Sequence, residues 1–260
     1  GRVWFPADVL NEIPHGFSTR KGGVSPAPWD SLNLRPGQGD GPEKLRKNYR
    51  RFFAALGLDE TRAVLSQQTH TANIRTVTAE DAGKGLLRPR DYTDVDALIT
   101  NVPGLPLTVF SADCGTILLY DPVHRAIGAV HAGWRGTVRH ILAHTLRRMQ
   151  ATCGTEGKDI IACIGPGISF ASFEVGDEVH EAFRAEGFPM EQISAWKPET
   201  HKYHIDLWKA NHLQLSDFGV PSRQIETAGI CTYRQHEDFF SARRLGIKSG
   251  RILSGIMLNG

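Results

Sequence analysis

The sequence predicts an α+β fold, with mixed sheets covered by helices, in one domain that spans residues 1–260. Apolar patterns of helical period are interspersed along the chain with short β-type runs. Several neighbouring strands are separated only by turn-forming residues and are expected to form hairpins. Hairpins make antiparallel pairs, which disfavours a doubly wound parallel sheet. The chain shows no internal repeat, low-complexity tract or linker that would divide it.

Charge and composition restrict the class of protein. The net charge is +2 without a long basic run, which gives no support for binding to nucleic acid or to an anionic membrane. The four cysteines contain no CxxC pair and suit a reducing compartment. No apolar run reaches the roughly 18 residues of a membrane span. We therefore expect a soluble, cytoplasmic protein with no nucleic-acid partner and no membrane partner.

Apolar spacing predicts the individual elements. Leu45, Tyr49, Phe52 and Phe53 recur at helical spacing before Gly57, which predicts a helix over residues 42–56. Further helices are predicted at about residues 137–150, 174–187 and 207–218. Strands are predicted over residues 63–67, 73–78, 96–100, 107–111, 116–120, 126–130, 159–168, 225–230 and 251–257.

A hairpin at the centre of the chain predicts that Cys114 and His131 approach each other. The apolar runs 116–120 and 126–130 flank Asp121-Pro122, a dipeptide that favours a turn. If Tyr120 lies opposite Ala126, residue 132 lies opposite Cys114, one position from His131. Opposite or adjacent cross-strand residues lie within about 4.5–8 Å of each other.

Three residues therefore form a candidate metal site. His70 follows a predicted strand and would add a third ligand to Cys114 and His131. One cysteine with two histidines suits Zn²⁺ and leaves the fourth tetrahedral position open for water or substrate. Two other interpretations stay open: a nucleophile–base pair of Cys114 and His131, and a buried cysteine beside a capping histidine.

Two glycine turns beside an arginine are candidate anion sites. In the first, Arg20 precedes Gly22 and Gly23, whose backbone N–H groups can bind an anion. In the second, Arg135 lies within a glycine-bearing turn, residues 133–136, at a predicted helix start. A solvated hairpin turn is the alternative interpretation of the first motif.

The order of motifs resembles the YfiH/YlmD family, also called laccase-like or polyphenol oxidase. The segments that carry the resemblance are STRKGGVS, LNL, QQTHTANI, DALIT, SADCGTILLYD, GAVHAGWRGT, CIGPGI with FEVG, GICT and FFSARR followed by GR. They cover most of the chain from Phe17 to Arg251. The resemblance implies a layered α/β/β/α-type arrangement with mixed sheets and a largely monomeric state. Thr71-Ala72 is a departure, since many relatives have glycine directly after the histidine.

The resemblance also implies an activity. Family members are described as zinc-dependent purine nucleoside phosphorylases that act on adenosine, inosine and methylthioadenosine and also deaminate adenosine. The implied metal ligands are His70, Cys114 and His131, with copper binding possible in vitro. Nucleoside and phosphate are the implied small-molecule partners, and Arg20, Gly22, Gly23 or Arg135 would hold phosphate. Arg243 and Arg244 are weaker candidates for the phosphate. Asp113 is either an acid/base group, a partner of the ligands or a turn carboxylate.

Three other functions remain open. A cysteine- or zinc-dependent amidase could edit peptidoglycan precursors, as described for some bacterial family members. A copper-dependent polyphenol oxidase would need further histidine-rich copper sites, yet the chain has no HxH pair. A metal-stabilised scaffold would need a fourth protein ligand, and the sequence suggests none.

Overall fold

Side chains along the central strands alternate between two buried faces, and this alternation explains the layered architecture. The computed structural model describes residues 3–260. In it, Leu118 packs toward a second sheet, whereas its neighbours Ile117 and Leu119 pack toward helices. A strand buried on both faces in this way lies in a sheet that is covered on both sides.

The structure confirms helices and strands interspersed along the chain. The strands of the described residues are β1 (Trp4–Phe5), β2 (His15–Ser18), β3 (Val64–Leu65), β4 (Ile74–Thr76), β5 (Ala97–Thr100), β6 (Leu107–Ser111), β7 (Gly115–Asp121), β8 (Ala126–Ala132), β9 (Ile161–Ile164), β10 (Glu174–Val175), β11 (Ser194–Lys197), β12 (Lys202–Ile205), β13 (Ile225–Thr227) and β14 (Ile252–Ile256). Their α-helices are α1 (Pro42–Leu56), α2 (Trp134–Val138), α3 (Ile141–Cys153), α4 (Asp177–Ala185), α5 (Met190–Ile193), α6 (Leu207–Phe218) and α7 (Ala242–Leu245).

Two large sheets each combine parallel and antiparallel pairs. The first has five strands in the order β1-β2-β14-β6-β3, in which β3 and β6 are parallel. The second has six strands in the order β13-β9-β7-β8-β5-β4, with a parallel pair at each edge. A smaller antiparallel sheet has the order β10-β12-β11.

Hydrophobic clusters fill the spaces between four layers. Leu107 of the first sheet and Leu118 of the second belong to the core between the two sheets. Helix α1 covers the outer face of the first sheet through Tyr49 and Phe53. Helices α3 and α6 cover the outer face of the second sheet, where Leu146 is fully buried. The layer order is therefore α/β/β/α, which confirms the predicted fold class.

Helix α1 has the predicted bounds because both of its ends carry strong signals. Pro42 occupies the first turn, where a missing N–H costs no hydrogen bond. Gly57 adopts a left-handed conformation after the last turn, with φ of 71°, and ends the helix.

The helix predicted over residues 137–150 is wrong at its start, because the structure has two helices there. His140 has a left-handed φ of 60° and separates α2 from α3. The Gln214 side chain bridges the break: it accepts a hydrogen bond from the backbone N–H of Ala143 and donates one to the carbonyl of Thr137. A side chain from α6 thus replaces the backbone bonds of a continuous helix.

The predicted hairpin register is wrong by one residue. Tyr120 pairs with Ile127, and Ala126 pairs with Asp121. The carboxylate of Asp121 accepts the backbone N–H groups of two turn residues, at 3.0 and 3.1 Å. These bonds keep Asp121 within the strand and leave residues 122–125 as the turn.

A buried carboxylate anchors the segment after β4. Asp81 is 1% exposed and accepts hydrogen bonds from Arg75 at 2.9 Å, Lys84 at 2.7 Å and the Thr78 backbone at 3.0 Å. Burial raises its pKa, but these donors outweigh burial and lower the pKa to about 2.

We expect Asp81→Asn to lower the free energy of unfolding by roughly 2 kcal/mol at pH 7, because each unit of pKa shift is worth about 1.4 kcal/mol. A lowered carboxyl pKa stabilises the fold above about pH 4, and this stabilisation is lost as the pH falls toward 2. Urea unfolding between pH 2 and 7 measures both effects. Glu181→Gln, which breaks an exposed pair with Arg184, is the control and should change stability little. Equal losses in the two variants would contradict the prediction.

Candidate metal centre

Two chain crossings between the large sheets bring candidate ligands to one end of the inter-sheet core. After β3 of the first sheet, the chain passes through His70 to reach β4 of the second. After β6 of the first sheet, it passes through Cys114 to reach β7 of the second. His131 lies on β8, which pairs with β7. The crossings and the hairpin therefore end at the same place.

The hairpin register orients two of these side chains toward each other. Thr116 lies opposite His131. Cys114 precedes Thr116 by two residues and therefore projects to the same face, within diagonal reach of His131. The corrected register thus still joins the predicted pair.

The structure brings together the three residues that the sequence singles out. Sγ of Cys114 lies 4.0 Å from Nε2 of His70. One ligand atom from each of His70, Cys114 and His131 lies within 4.8 Å of the other two. The two imidazole rings have centroids 5.2 Å apart and an interplanar angle of 71°. His131 is buried, Cys114 is partly buried and His70 is exposed, so the cluster opens to solvent on the His70 side.

The carboxylate of Asp96 holds two of the three residues in place. Its Oδ2 lies 2.8 Å from Nδ1 of His131 and accepts the backbone N–H of His70 at 3.0 Å. Its Oδ1 accepts the backbone N–H groups of Thr69 and Thr71. Asp96 is fully buried. With Nδ1 of His131 engaged by the carboxylate, Nε2 remains for a metal or a proton.

The close packing of these groups changes their protonation. Burial raises the pKa of Cys114, but His131 and His70 outweigh burial and lower it to about 6. Burial lowers the pKa of His131, whereas Cys114 and Asp96 raise it to about 9. The thiol is therefore ready to act as a thiolate near neutral pH, either as a soft metal ligand or as a nucleophile.

Gly133 allows the ligands to approach the backbone. A Cβ atom at this position would lie 2.9 Å from Sγ of Cys114 and 3.3 Å from Cδ2 of His70. Both distances are shorter than an ordinary van der Waals contact. A side chain here would fill the space between the candidate ligands, so the glycine is required by close approach.

Asp113 connects the turn before Cys114 to two other segments. Its Oδ1 accepts the hydroxyl hydrogen of Thr232 at 2.8 Å, and its Oδ2 accepts the backbone N–H of Arg243 at 2.8 Å. The residue has a left-handed φ of 95°. Both oxygens are thus engaged in contacts that fix the turn.

The structure places Arg20 in a network of its own. Its guanidinium donates to the carbonyls of Asp30 and His236, forms an ion pair with the Asp30 carboxylate at 3.2 Å and packs over the Phe240 ring. The backbone N–H of Gly23 donates to the Ser31 hydroxyl. Within the described residues, no hydrogen bond or ion pair joins this turn, which includes Gly22, to the three candidate ligands.

The other arginines considered for phosphate binding each contact a different aromatic ring and do not form one common anion site. Arg135 is exposed and packs over the Trp134 ring. Arg243 donates to the carbonyl of Glu174 and packs over Phe173. Arg244 packs over Tyr233. A phosphate-binding role for Arg20, Gly22, Gly23 or Arg135 stays a prediction.

Sequence reasoning did not identify Asp96, although strand pairing could have done so. In the β5–β8 ladder Ala97 pairs with Val130. Asp96, the residue just before β5, is therefore opposite His131, the residue after Val130 on β8. Register arithmetic applied to β5 as well as to the hairpin would have found this partner.

A family profile described as multi-copper polyphenol oxidoreductase laccase matches residues 14–259. The chain belongs to this family. It is 50% identical over 250 residues to a purine nucleoside phosphorylase of Bacteroides thetaiotaomicron, covering 96% of this chain and 93% of the relative. It is 36% identical over 242 residues to adenosine deaminase RL5 of an unknown prokaryotic organism, with 92% of each chain covered.

Structural similarity agrees with the sequence matches. The crystal structure of the hypothetical protein YfiH from Bacillus licheniformis has a TM-score of 0.93 and 31% identity, and the match covers 100% of this chain and 97% of that one. The resemblance to the YfiH/YlmD family is thereby confirmed. Within residues 3–260, no helix combines the length and the apolar character needed to cross a membrane.

We expect Asp96→Asn to weaken zinc binding by about 10- to 100-fold, the usual effect of removing a partner that orients a histidine ligand. Competition with a chromophoric chelator measures the affinity, and circular dichroism verifies the fold. Asp94→Asn is the matched control: Asp94 is exposed, has a left-handed φ of 55° that asparagine tolerates, and contacts the Thr69 hydroxyl rather than a candidate ligand. An unchanged zinc affinity in folded Asp96→Asn would refute the positioning role.

Proposed function

We propose that this chain is a zinc-dependent purine nucleoside phosphorylase that acts on adenosine, inosine and methylthioadenosine and deaminates adenosine at the same site. The observation that carries the proposal is the convergence of His70, Cys114 and His131 at an open end of the inter-sheet core. The names of the relatives, a purine nucleoside phosphorylase and an adenosine deaminase, support the substrate class.

The donor set fits a catalytic zinc ion. A thiolate and two imidazoles are three ligands of the types that zinc takes, and a fourth position stays open in catalytic sites. Tetrahedral bond lengths imply a sulfur–nitrogen spacing of about 3.6 Å, close to the 4.0 Å between Cys114 and His70. Copper would also bind such a donor set in vitro. A zinc ion supplies Lewis-acid polarisation and orientation of an attacking oxygen.

The chain's own residues prepare the site. Asp96 accepts the Nδ1 proton of His131 in a hydrogen bond and leaves Nε2 free to act as a ligand. In phosphorolysis, a phosphate oxygen bonds to C1′ of the ribose as the bond from C1′ to the base breaks. In deamination, a water oxygen bonds to C6 of the base as the exocyclic amine leaves. We assign Asp113 to positioning of Cys114, because both of its oxygens accept hydrogen bonds from fixed groups.

A second candidate function is amide hydrolysis of a peptidoglycan precursor. Cys114, His131 and Asp96 form a contiguous nucleophile, base and orienting carboxylate. In such an enzyme the thiolate itself would attack the amide, and a metal chelator would leave the activity intact. The third residue, His70, favours the metal site, since a nucleophile–base pair has no use for it.

Physiological polyphenol oxidation has less support from the residues. Multicopper chemistry uses further histidine-rich copper sites. Among the described residues, the other cluster of candidate ligands is Asp121, His124 and Asp159. It lies at the turn end of the hairpin, and the Asp121 carboxylate already accepts hydrogen bonds from His124 and Thr155.

Cytoplasmic location and a monomeric state, both expected from the sequence, stay predictions.

We expect Cys114→Ser to lose both phosphate-dependent base release and adenosine deamination by about 100-fold or more, because one metal site serves both reactions. Zinc-loaded protein is incubated with each nucleoside, with and without phosphate, and the products are identified by mass spectrometry. Metal content is measured in the same samples.

Cys153→Ser is the matched control, since Cys153 is a partly buried free cysteine at the end of α3. It should keep both activities and the metal. Loss of one activity but not the other in Cys114→Ser would disprove a shared site. Amide hydrolysis that survives chelation, together with no product from any nucleoside, would favour the amidase.

A further inference from the structure

A small cavity with a basic wall lies beside the candidate metal centre. Its volume is about 190 Å³, which is smaller than the pockets that hold drug-sized ligands. Its lining includes Arg35, Ser66, Gln67, Gln68, Arg90 and Phe110. Such a size and lining suit a small anion.

The cavity and the metal centre share the same chain crossings. Gln68 lies two residues before His70, and Phe110 lies in β6, directly before the crossing that carries Cys114. The Gln68 amide exchanges hydrogen bonds with the Phe110 backbone, at 2.6 and 2.9 Å, and so joins the two crossings. The Arg35 guanidinium interacts electrostatically with both Cys114 and Asp96.

The two arginines that line this cavity, and Arg251 within electrostatic range of Arg35, lack contacting carboxylate partners. Within residues 3–260, neither Arg35 nor Arg90 nor Arg251 forms an ion pair, and the Arg35 guanidinium makes no hydrogen bond. Arg90 donates to the carbonyl of Ser66, and Arg251 donates to backbone carbonyls of the segment before β14. Each guanidinium therefore lacks a contacting carboxylate, although Cys114 and Asp96 attract Arg35, and Cys114 and Asp113 attract Arg251, from a longer distance.

The like charges act on one another. Burial, followed by the Arg90 guanidinium, lowers the pKa of Arg35. Burial, followed by Arg35, lowers the pKa of Arg251. Asp96 and Cys114 oppose this effect on Arg35, but no carboxylate contacts either cavity arginine, so an anion bound between them would compensate their charge.

We propose that the cavity lined by Arg35 and Arg90 binds inorganic phosphate as the attacking co-substrate. This inference rests on the proposed function, and the metal site and the nucleoside substrate stay as proposed there. Guanidinium groups bind phosphate oxygens through charge-assisted, often bidentate hydrogen bonds. From this cavity, an oxygen of hydrogen phosphate forms the bond to C1′, the electron pair of the broken glycosidic bond leaves with the base, and the base takes up the proton that the phosphate loses.

Other arginines serve this role less well. The Arg20 guanidinium is already paired with Asp30 and with two carbonyls. Arg135 is exposed and packs over Trp134. Arg35, in contrast, combines partial burial, a free guanidinium and electrostatic contact with Cys114.

The test uses Arg35→Met and Arg90→Met in the full, zinc-loaded chain. We expect the KM for phosphate in phosphorolysis to rise by about 10- to 100-fold, as loss of a hydrogen bond to a charged group predicts. Adenosine deamination without phosphate should change much less than phosphorolysis, because water rather than phosphate attacks. Arg125→Met is the control: Arg125 is exposed in the hairpin turn, at the opposite end of β7 and β8, and should leave both reactions unchanged.

A binding measurement separates this inference from the proposed function. We expect inorganic phosphate to raise the Tm of the wild type and of Arg125→Met but not of Arg35→Met, because a ligand stabilises only the state that binds it. In phosphate-free buffer, Arg35→Met should leave the Tm nearly unchanged, since it removes the repulsion from Arg90 together with the attraction to Asp96 and Cys114. A clearly lowered Tm there would indicate a structural role and would overturn the inference. A phosphate effect on the Tm that persists in both Arg35→Met and Arg90→Met would overturn it as well. A wild type that binds phosphate through Arg35 but converts no nucleoside would retain the anion site and reject the proposed function.

Discussion

The buried carboxylate of Asp96 is the contact on which the candidate site depends. It is fully buried, yet it accepts hydrogen bonds from three consecutive backbone N–H groups, those of residues 69–71, and contacts Nδ1 of His131 at 2.8 Å. Burial raises its pKa, but these donors outweigh burial and lower the pKa to about 2. The same anion thus fixes the left-handed backbone at His70 and the ring of His131.

The position of this carboxylate follows from the layered fold. The two large sheets face each other across one core, so a chain that passes from one sheet to the other must cross the end of that core. Two such crossings occur side by side, because β3 and β6 are parallel neighbours in the first sheet. Each crossing is short and carries a residue with positive φ, His70 or Asp113. Strained backbone of this kind persists where surrounding contacts over-determine it.

The sequence was sufficient for features that depend on local patterns. Helix α1 has its predicted bounds because apolar spacing, a first-turn proline and a terminal glycine all agree. The approach of Cys114 to His131 required only one hairpin, and a one-residue error in register did not separate them. The predicted approach of this pair was therefore correct even though the register error, caused by the turn contacts of Asp121, went unrecognised in the sequence.

Features that depend on distant segments were not accessible in this way. Arg35 lies in a Pro- and Gly-rich loop without periodicity, and Arg251 immediately precedes the last strand. Packing brings them within electrostatic range of each other and of Cys114. Likewise, the break before α3 depends on Gln214, a side chain more than 60 residues away. No spacing rule connects such positions before the core is assembled.

The distribution of charge suggests how one centre could serve two reactions under the proposed function. On one side, the Asp96 carboxylate orients His131 and the Asp113 carboxylate fixes the turn before Cys114, whose thiol has a lowered pKa. On the other side, Arg35, Arg90 and Arg251 are cations without carboxylate partners. Attack by phosphate brings negative charge that these arginines would compensate in addition to the metal, whereas attack by neutral water brings none. The metal ligands would then be common to both reactions, and the arginines would decide whether phosphate competes with water.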